Sequence, residues 1–97
     1  MSDPVSMVVF APEGELTMVS APAILEEGRR RARAGDLVVD FARIGAADSA
    51  ALALLLDWMR CARAAGKRLT VRSLPAGMSS LAALYDIDAL LPLESRA

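Results

Sequence analysis

Asp48-Ser49, an aspartate followed by a serine at a predicted helix start, is the position in this sequence best suited to carry chemistry. The Ser49 hydroxyl could cap free N–H groups of the helix, accept a phosphate group, or contact a partner protein. The helix dipole and the open N–H groups favour a phosphate there, whereas the charge of Asp48 opposes it. Residue types alone leave these three interpretations open. Ser49 is therefore a candidate phosphorylation site and a candidate contact residue.

The rest of the sequence gives little support for catalysis at Ser49. The chain has no His to activate a hydroxyl, and no Gly-rich segment that could hold an oxyanion flanks the serine. The single Cys61 cannot form an internal disulfide, and Gly14, Gly28 and Gly35 do not form a phosphate-binding loop with a lysine. We therefore expect a protein that is not an enzyme, with no catalytic residues, no metal site and no cofactor.

The helix that follows Ser49 carries a wide apolar surface. Placed at about 100° per residue, its apolar side chains cover an arc of about 200°, roughly twice what a surface helix needs to cover a core. They are Ala50, Ala51, Leu52, Leu54, Leu55, Trp58, Met59 and Ala62. Either a partner protein or neighbouring helices must cover the excess. Trp58 at the middle of the arc is predicted to be a core residue, and Cys61 a small buried apolar one.

The opposite side of this helix predicts a modest docking surface. It combines small and apolar side chains with charged ones at the margin, which is typical of protein interfaces. We assign partner binding to Ser49, Ala53, Leu56, Arg60 and Arg63, with Asp57 nearby. The alternative is that Leu56 is simply an exposed leucine, since single exposed apolar residues are common.

Length, composition and charge predict one cytoplasmic domain. The 97 residues are 55% apolar and 4% aromatic, which suits a single core of aliphatic side chains between helices and sheet. A net charge of −1 provides no field that would attract nucleic acid or anionic lipid. The first residues lack the plan of a signal peptide, and no apolar run approaches the roughly 18 residues of a membrane span. We expect no direct membrane insertion.

Hydrophobic periodicity predicts an α/β domain with a small mixed β-sheet flanked by helices. We predict strands at 5–10, 15–17, 37–41 and 68–73, helices at 20–34, 48–65 and 75–85, a loop at 42–47, and a last turn at 87–91. Ser20 is expected to cap the first helix, and the continuous apolar run at 37–41 to be a central strand buried on both faces. The arginines of that helix, at 29–31 and 33, are expected to be a solvated face, with Glu26–Arg30 and Glu27–Arg31 ion pairs.

Four segments resemble the successive signatures of the STAS domain. They are GELT at 14–17, SAPA at 20–23, LVVDF at 37–41 and ADSAAL at 47–52. The resemblance implies the fold of the bacterial anti-sigma-factor antagonists, a small mixed sheet flanked by helices. In those proteins the Asp-Ser at the start of the second helix is the regulated phosphorylation site. It thereby implies a switch in which a kinase phosphorylates Ser49.

A narrower resemblance is to the MlaB group, the cytoplasmic STAS subunits of the ABC transporters that maintain outer-membrane lipid asymmetry. It is carried by LALLL at 52–56, ARAAG at 62–66, LAALY at 81–85 and Leu91-Pro92. This resemblance implies a non-catalytic subunit that binds an MlaF-like ATPase and, through it, a membrane permease, peripheral to the inner membrane. Ser49 stands where that group places a hydroxyl residue needed for docking. The unbound chain could also form a homodimer.

Overall fold

The fold alternates strands and helices as predicted, with one strand more than the sequence indicates. The computed structural model describes residues 8–17, 19–47 and 49–94. Its elements in chain order are β1 (Val8–Phe10), β2 (Gly14–Leu16), α1 (Ala21–Ala34), β3 (Leu37–Asp40), β4 (Ile44–Ala47), α2 (Ser49–Ala64), β5 (Leu69–Arg72), α3 (Ala76–Leu84) and a 3₁₀ turn (Asp88–Leu90). The α/β class with small sheets flanked by helices is confirmed. Part of the predicted first strand, at 5–7, lies outside the described residues.

Strand β3 lies in the middle of a three-stranded sheet with the order β1-β3-β5. Both of its pairings are parallel, with Val39 opposite Phe10 on one side and Val71 on the other. Leu37, Val38 and Val39 are all buried. This burial explains why the segment is a continuous apolar run and not an alternating one. The prediction of a central strand is confirmed.

The segment 42–47, predicted to be a loop, contains strand β4, so that prediction is wrong. Strand β4 pairs in parallel with β2, with Gly14 opposite Ile44 and Leu16 opposite Ala47. The two strands are only three and four residues long. Gly45 and the alanines beside it carry little β-branched signal, so periodicity could not separate this strand from a loop. The strand pairings that the structure describes are all parallel, in one sheet of three strands and one of two, so the described residues show parallel sheets where the sequence predicts a mixed one.

Trp58 joins α2 to α1 at the centre of the core. Its side chain is 0% exposed, and its Nε1 donates a hydrogen bond to the Leu25 carbonyl at 3.0 Å. Phe10 meets the indole edge-on, with the ring centroids 5.6 Å apart. Gly28 of α1 lies against the same ring, and a Cβ at that position would overlap it. The prediction of Trp58 as a core residue is confirmed, and Gly28 is explained by this close approach.

The wide apolar arc of α2 is covered by the domain itself. Helix α1 packs along one side of α2, and α3 and β5 pack against other parts of it. The buried members of the arc are Ala50, Ala51, Leu52, Leu54, Leu55, Trp58 and Ala62. Of the two explanations for the arc, the structure supports coverage by neighbouring elements for every member except Met59, which is half-buried.

A glycine follows the last turn of α2. Gly66 has a φ of 72°, a left-handed conformation that favours glycine. Its N–H donates to the Arg63 carbonyl at 3.1 Å, and the N–H of Lys67 donates to the Ala62 carbonyl at 2.8 Å. This pair of hydrogen bonds is a Schellman motif, which satisfies carbonyls left open at the helix end.

Ser20 precedes α1, but its side chain makes no capping hydrogen bond, so the predicted capping role is wrong. The Ser20 hydroxyl donates to the Glu15 carbonyl at 2.7 Å and accepts from the Thr17 N–H at 3.0 Å. The hydroxyl therefore closes the turn between β2 and α1, because the backbone groups of that turn compete for it.

The C-terminal segment extends the three-stranded sheet beyond β5. The Val71 N–H donates to the Pro92 carbonyl at 2.8 Å, and the Glu94 N–H donates to the Val71 carbonyl at 2.7 Å. Arg72 forms two hydrogen bonds with the Glu94 carboxylate, at 2.9 and 2.8 Å. A 3₁₀ turn leads into this segment, which confirms the predicted last turn. The pairing of the segment with β5 places the 3₁₀ turn beside α2.

Candidate docking surface

One open stripe runs the length of α2. Four of the five predicted contact residues, Ser49, Ala53, Arg60 and Arg63, are exposed, and Leu56 is half-buried. Their spacing of four, three, four and three residues keeps them on one face of a helix. The structure thus brings the predicted residues together on a surface open to solvent, and their role in binding stays a prediction.

Ser49 is the first residue of α2, and its side chain is exposed. The first turn of a helix has backbone N–H groups without intrahelical partners, and they favour an acceptor or an anion nearby. Asp48, the neighbour expected to oppose a phosphate, lies outside the described residues. The hydroxyl is therefore accessible to a partner protein or to a modifying enzyme.

A two-centre ion pair joins α1 to α2 beside this stripe. Arg29 donates from Nε to Asp57 Oδ2 at 2.6 Å and from Nη2 to Asp57 Oδ1 at 3.1 Å. The side chain of Asp57 is 18% exposed, and Arg60 lies 3.3 Å from its Oδ1. The hydrogen bonds from Arg29 hold the pKa of Asp57 below its ordinary value, against the opposing effect of burial. Asp57 is therefore a charged group that ties the two helices together.

The arginine run of α1 is only partly the solvated face that the sequence predicts. Arg29 reaches across to α2, and the guanidinium of Arg31 lies 5.1 Å from the centre of the Phe10 ring. The predicted Glu27–Arg31 pair is present, whereas Glu26 pairs with Arg29, and Arg30 with Glu27. The Glu26–Arg30 prediction is therefore wrong, because three-residue spacing competes with four-residue spacing on a helix.

Cys61 is half-buried and not fully buried as predicted. Its Sγ lies 3.9 Å from Asp57 Oδ2 and 3.8 Å from Arg33 Nη2. These residues, with Arg29 and Arg60, line an open cavity of about 530 Å³ along the seam between α1 and α2. The polar edge of the seam explains the partial exposure of the thiol.

On its other side, α2 forms a groove with the 3₁₀ turn. Leu56, Met59, Arg60, Arg63 and Leu90 line a cavity of about 320 Å³ there. The sequence predicts Leu56, Arg60 and Arg63 as docking residues. It does not predict that Met59 and Leu90 line the same groove. Leu90 belongs to a separate short element, and only the path of the C-terminal segment brings it to α2. No signal in the sequence pairs these two elements.

Metal-binding clusters and membrane-spanning helices are both absent from the described part of the chain. Within residues 8–17, 19–47 and 49–94, no group of three His, Cys, Asp or Glu side chains could hold a metal ion. No helix in those ranges is long and apolar enough to cross a membrane.

Comparisons with known proteins agree with this architecture. The family model described as "Mlab, STAS domain" matches residues 5–92. Among solved structures, the anti-sigma factor antagonist SpoIIAA in its unphosphorylated form is similar, with a TM-score of 0.67 over 98% of this chain and 86% of that chain. The two sequences are 16% identical, so this likeness concerns the fold. A comparison with curated proteins gives no match. The match over residues 5–92 confirms the resemblance of the sequence segments, and this chain belongs to the MlaB family of STAS domains.

Proposed function

We propose that this chain is a non-catalytic accessory subunit that binds the ATPase of a phospholipid ABC transporter and supports its assembly or activity. The observation that carries the proposal is the exposed α2 stripe of Ser49, Ala53, Leu56, Arg60 and Arg63. The name of the matched family model adds support, because MlaB proteins are the STAS subunits of ABC transporters that maintain lipid asymmetry. STAS domains act through contacts with other proteins, and this stripe is the surface best suited to such a contact.

The side chains of the stripe match the anatomy of a protein interface. Ser49 and Ala53 are small, so the backbone of a partner can approach α2 closely. Leu56 provides an apolar centre, and Arg60 and Arg63 provide a charged margin. Because Leu52, Leu55 and Trp58 of α2 are packed inside the domain, a partner can bind the stripe without disturbing the core.

Co-purification tests the proposal. The tagged chain is recovered from detergent-solubilised cells of its own source, and the proteins that accompany it are identified by mass spectrometry. We expect an ABC ATPase together with its membrane permease. A second bait carrying Ala53→Glu serves as the control, and we expect it to lose both proteins. Absence of any ABC ATPase from the wild-type sample would contradict the proposal.

A second candidate function is a phosphorylation switch of the anti-sigma-factor-antagonist type. It is favoured by the exposed Ser49 hydroxyl at the first residue of α2. The similar solved structure is that of an antagonist in its unphosphorylated form. A phosphate would add about two negative charges to the docking surface and eject the partner. Phosphopeptide mapping of the protein from stressed and stationary cells tests this switch. If phosphate is never found on Ser49, the result counts against the switch.

A further inference from the structure

The groove between α2 and the 3₁₀ turn continues past the predicted docking residues. The cavity of about 320 Å³ lined by Leu56 and Arg60 shares Met59, Arg63 and Leu90 with a second cavity of about 200 Å³. Ala62, Lys67, Leu69 and Pro92 complete the second cavity. Because the two cavities share walls, they form one continuous surface, here named the α2–3₁₀ groove. It runs from the middle of the α2 stripe to the end of that helix.

The walls of the groove are apolar. Leu56 and Met59 are half-buried and pack against the core from the α2 side. Leu90 faces them from the 3₁₀ turn and is 65% exposed. Covering a leucine this exposed would remove apolar surface from water, which is favourable. A concave surface of leucine and methionine side chains suits apolar side chains of another protein.

The rim of the groove is cationic. Arg60, Arg63 and Lys67 are all exposed. Within the described ranges, no carboxylate forms an ion pair with Arg63 or Lys67, and Arg60 reaches only Asp57, at 3.3 Å. Asp57 already accepts two hydrogen bonds from Arg29. The α2 side of the rim therefore has a net positive charge that favours carboxylates on whatever enters the groove.

We propose that the α2–3₁₀ groove receives an amphipathic helical segment of the partner ATPase that carries apolar anchors flanked by Asp or Glu side chains. This inference rests on the proposed function, since it specifies which part of the ATPase is bound. Apolar anchors in a groove with charged flanks are the usual form of helix recognition. A protein segment fits better than an anionic membrane, because the surface is concave and the cations are confined to the second half of the stripe. Ser49 and Ala53, in the first half, are small and uncharged.

Paired leucine variants test the apolar contact. The purified ATPase is titrated against the wild-type chain, Leu90→Ala and Leu84→Ala. Leu84 is a matched control, because it is 74% exposed on α3 and lines neither cavity of the groove. We expect Leu90→Ala to weaken binding by about fivefold or more, as for an interface anchor, and Leu84→Ala to bind as the wild type does. Equal affinities of the wild type and Leu90→Ala would overturn the inference.

Crosslinking identifies the ATPase segment that occupies the groove, and a charge exchange tests the contact with its carboxylates. A photo-crosslinker at position 90 in the purified complex gives the ATPase peptide that occupies the groove, and a crosslinker at position 84 serves as the control. We expect a peptide that contains Asp or Glu. Arg63→Glu should then weaken binding, and a Glu→Arg or Asp→Arg change in that peptide should restore it. Arg30→Glu, on the exposed face of α1, should have no effect. A crosslinked peptide without carboxylates, or failure of the exchange to restore binding, would overturn the inference.

The outcomes separate this inference from the proposed function. If the wild-type chain binds the ATPase and the Leu90→Ala and Arg63→Glu variants bind it with the same affinity, the groove proposal is refuted. The proposed function then still stands. A wild-type chain that binds no ABC ATPase refutes both. Vesicles containing anionic phospholipid provide the remaining comparison. If Arg63→Glu abolishes binding to these vesicles but leaves binding to the ATPase unchanged, the inference is overturned in favour of a membrane surface.

Discussion

At the scale of single residues, Gly28 and Trp58 set the distance between the two largest helices. The indole ring fills the place that a side chain at position 28 would occupy. Its Nε1 also binds the Leu25 carbonyl, so the ring is held by a hydrogen bond as well as by packing. Only a residue without a Cβ fits opposite this ring. The stability of the α1–α2 packing should therefore depend on position 28 carrying a hydrogen atom where every other residue carries a Cβ.

Gly28→Ala should destabilise the protein by about 1–3 kcal/mol, the usual cost of forcing extra atoms into a packed core. Urea unfolding with matched m-values measures the change. Gly77→Ala is the control, because a Cβ at position 77 of α3 meets no atom within 4 Å. It should be neutral or stabilise by up to about 1 kcal/mol through helix propensity. Equal stabilities of the two variants would show that the Trp58 contact is not tight.

Ser49 should affect binding more than stability. Loss of its hydroxyl in Ser49→Ala should weaken ATPase binding by about three- to tenfold, the value of one interfacial hydrogen bond. Ser49→Thr keeps the hydroxyl and should retain most of the affinity. The measurement is titration calorimetry with the purified ATPase. If Ser49→Ala and the wild type bind equally, the hydroxyl takes no part in docking.

Residue types indicate some of these roles and not others. The place of Trp58 on the apolar arc of α2 is enough to predict that it lies in the core. The function of Gly28 could not be predicted, because it depends on a ring that is distant in the sequence. Ser20 shows a related difficulty. A serine before a helix has several backbone partners within reach, and the sequence does not decide between the cap and the preceding turn.

At the scale of elements, the seam between α1 and α2 is sensitive to acid. The pKa of Asp57 is lowered in the folded protein, chiefly by its hydrogen bonds with Arg29. A carboxylate with a depressed folded pKa contributes stability above its unfolded pKa of about 4. That contribution is lost as the pH falls from about 4 through the folded pKa.

Asp57→Asn should therefore lower the thermal midpoint at pH 7 and reduce the further loss on acidification below about pH 4. Thermal unfolding followed by circular dichroism at pH 7 and pH 3 measures both effects. Glu15→Gln is the control, since Glu15 is exposed and its side chain forms no ion pair with another described residue. Parallel pH profiles for Asp57→Asn and the wild type would contradict the role assigned to this carboxylate.

Elements with a strong period or a clear end were predictable, and short ones were not. α2 and its glycine stop follow from apolar spacing and from Gly66, and β3 follows from an apolar run. β4 was missed because four residues with a glycine and two alanines resemble a loop. Arg29–Asp57 also escaped prediction, since local spacing within α1 does not show which arginine faces another helix.

At the scale of the whole molecule, the cations are unevenly distributed although the chain carries a net charge of only −1. Basic side chains cluster on α1 and on the second half of α2, whereas Asp86 and Asp88 lie near the end of α3 and in the 3₁₀ turn. Such an arrangement orients a protein as it approaches a partner and raises the association rate more than the affinity. The total charge of the sequence does not reveal this asymmetry.

The family and the fold were predictable from successive motifs along the chain, and so was the α2 stripe. The α2–3₁₀ groove was not, because it depends on where the C-terminal segment places Leu90 beside α2. A surface formed by two elements distant in sequence needs three-dimensional information, whereas a surface on one helix needs only its period.

The affinity of the purified chain for the ABC ATPase of its own source, compared among the wild type, Ala53→Arg and Ala83→Arg, tests the central claim most directly. Both alanines are exposed on helices, Ala53 within the α2 stripe and Ala83 on α3. We predict that Ala53→Arg weakens binding by about tenfold or more, because a long charged side chain cannot fit into a closely packed interface. Ala83→Arg should bind as tightly as the wild type. Binding that is absent in the wild type, or that is equal in all three proteins, would contradict docking through this stripe.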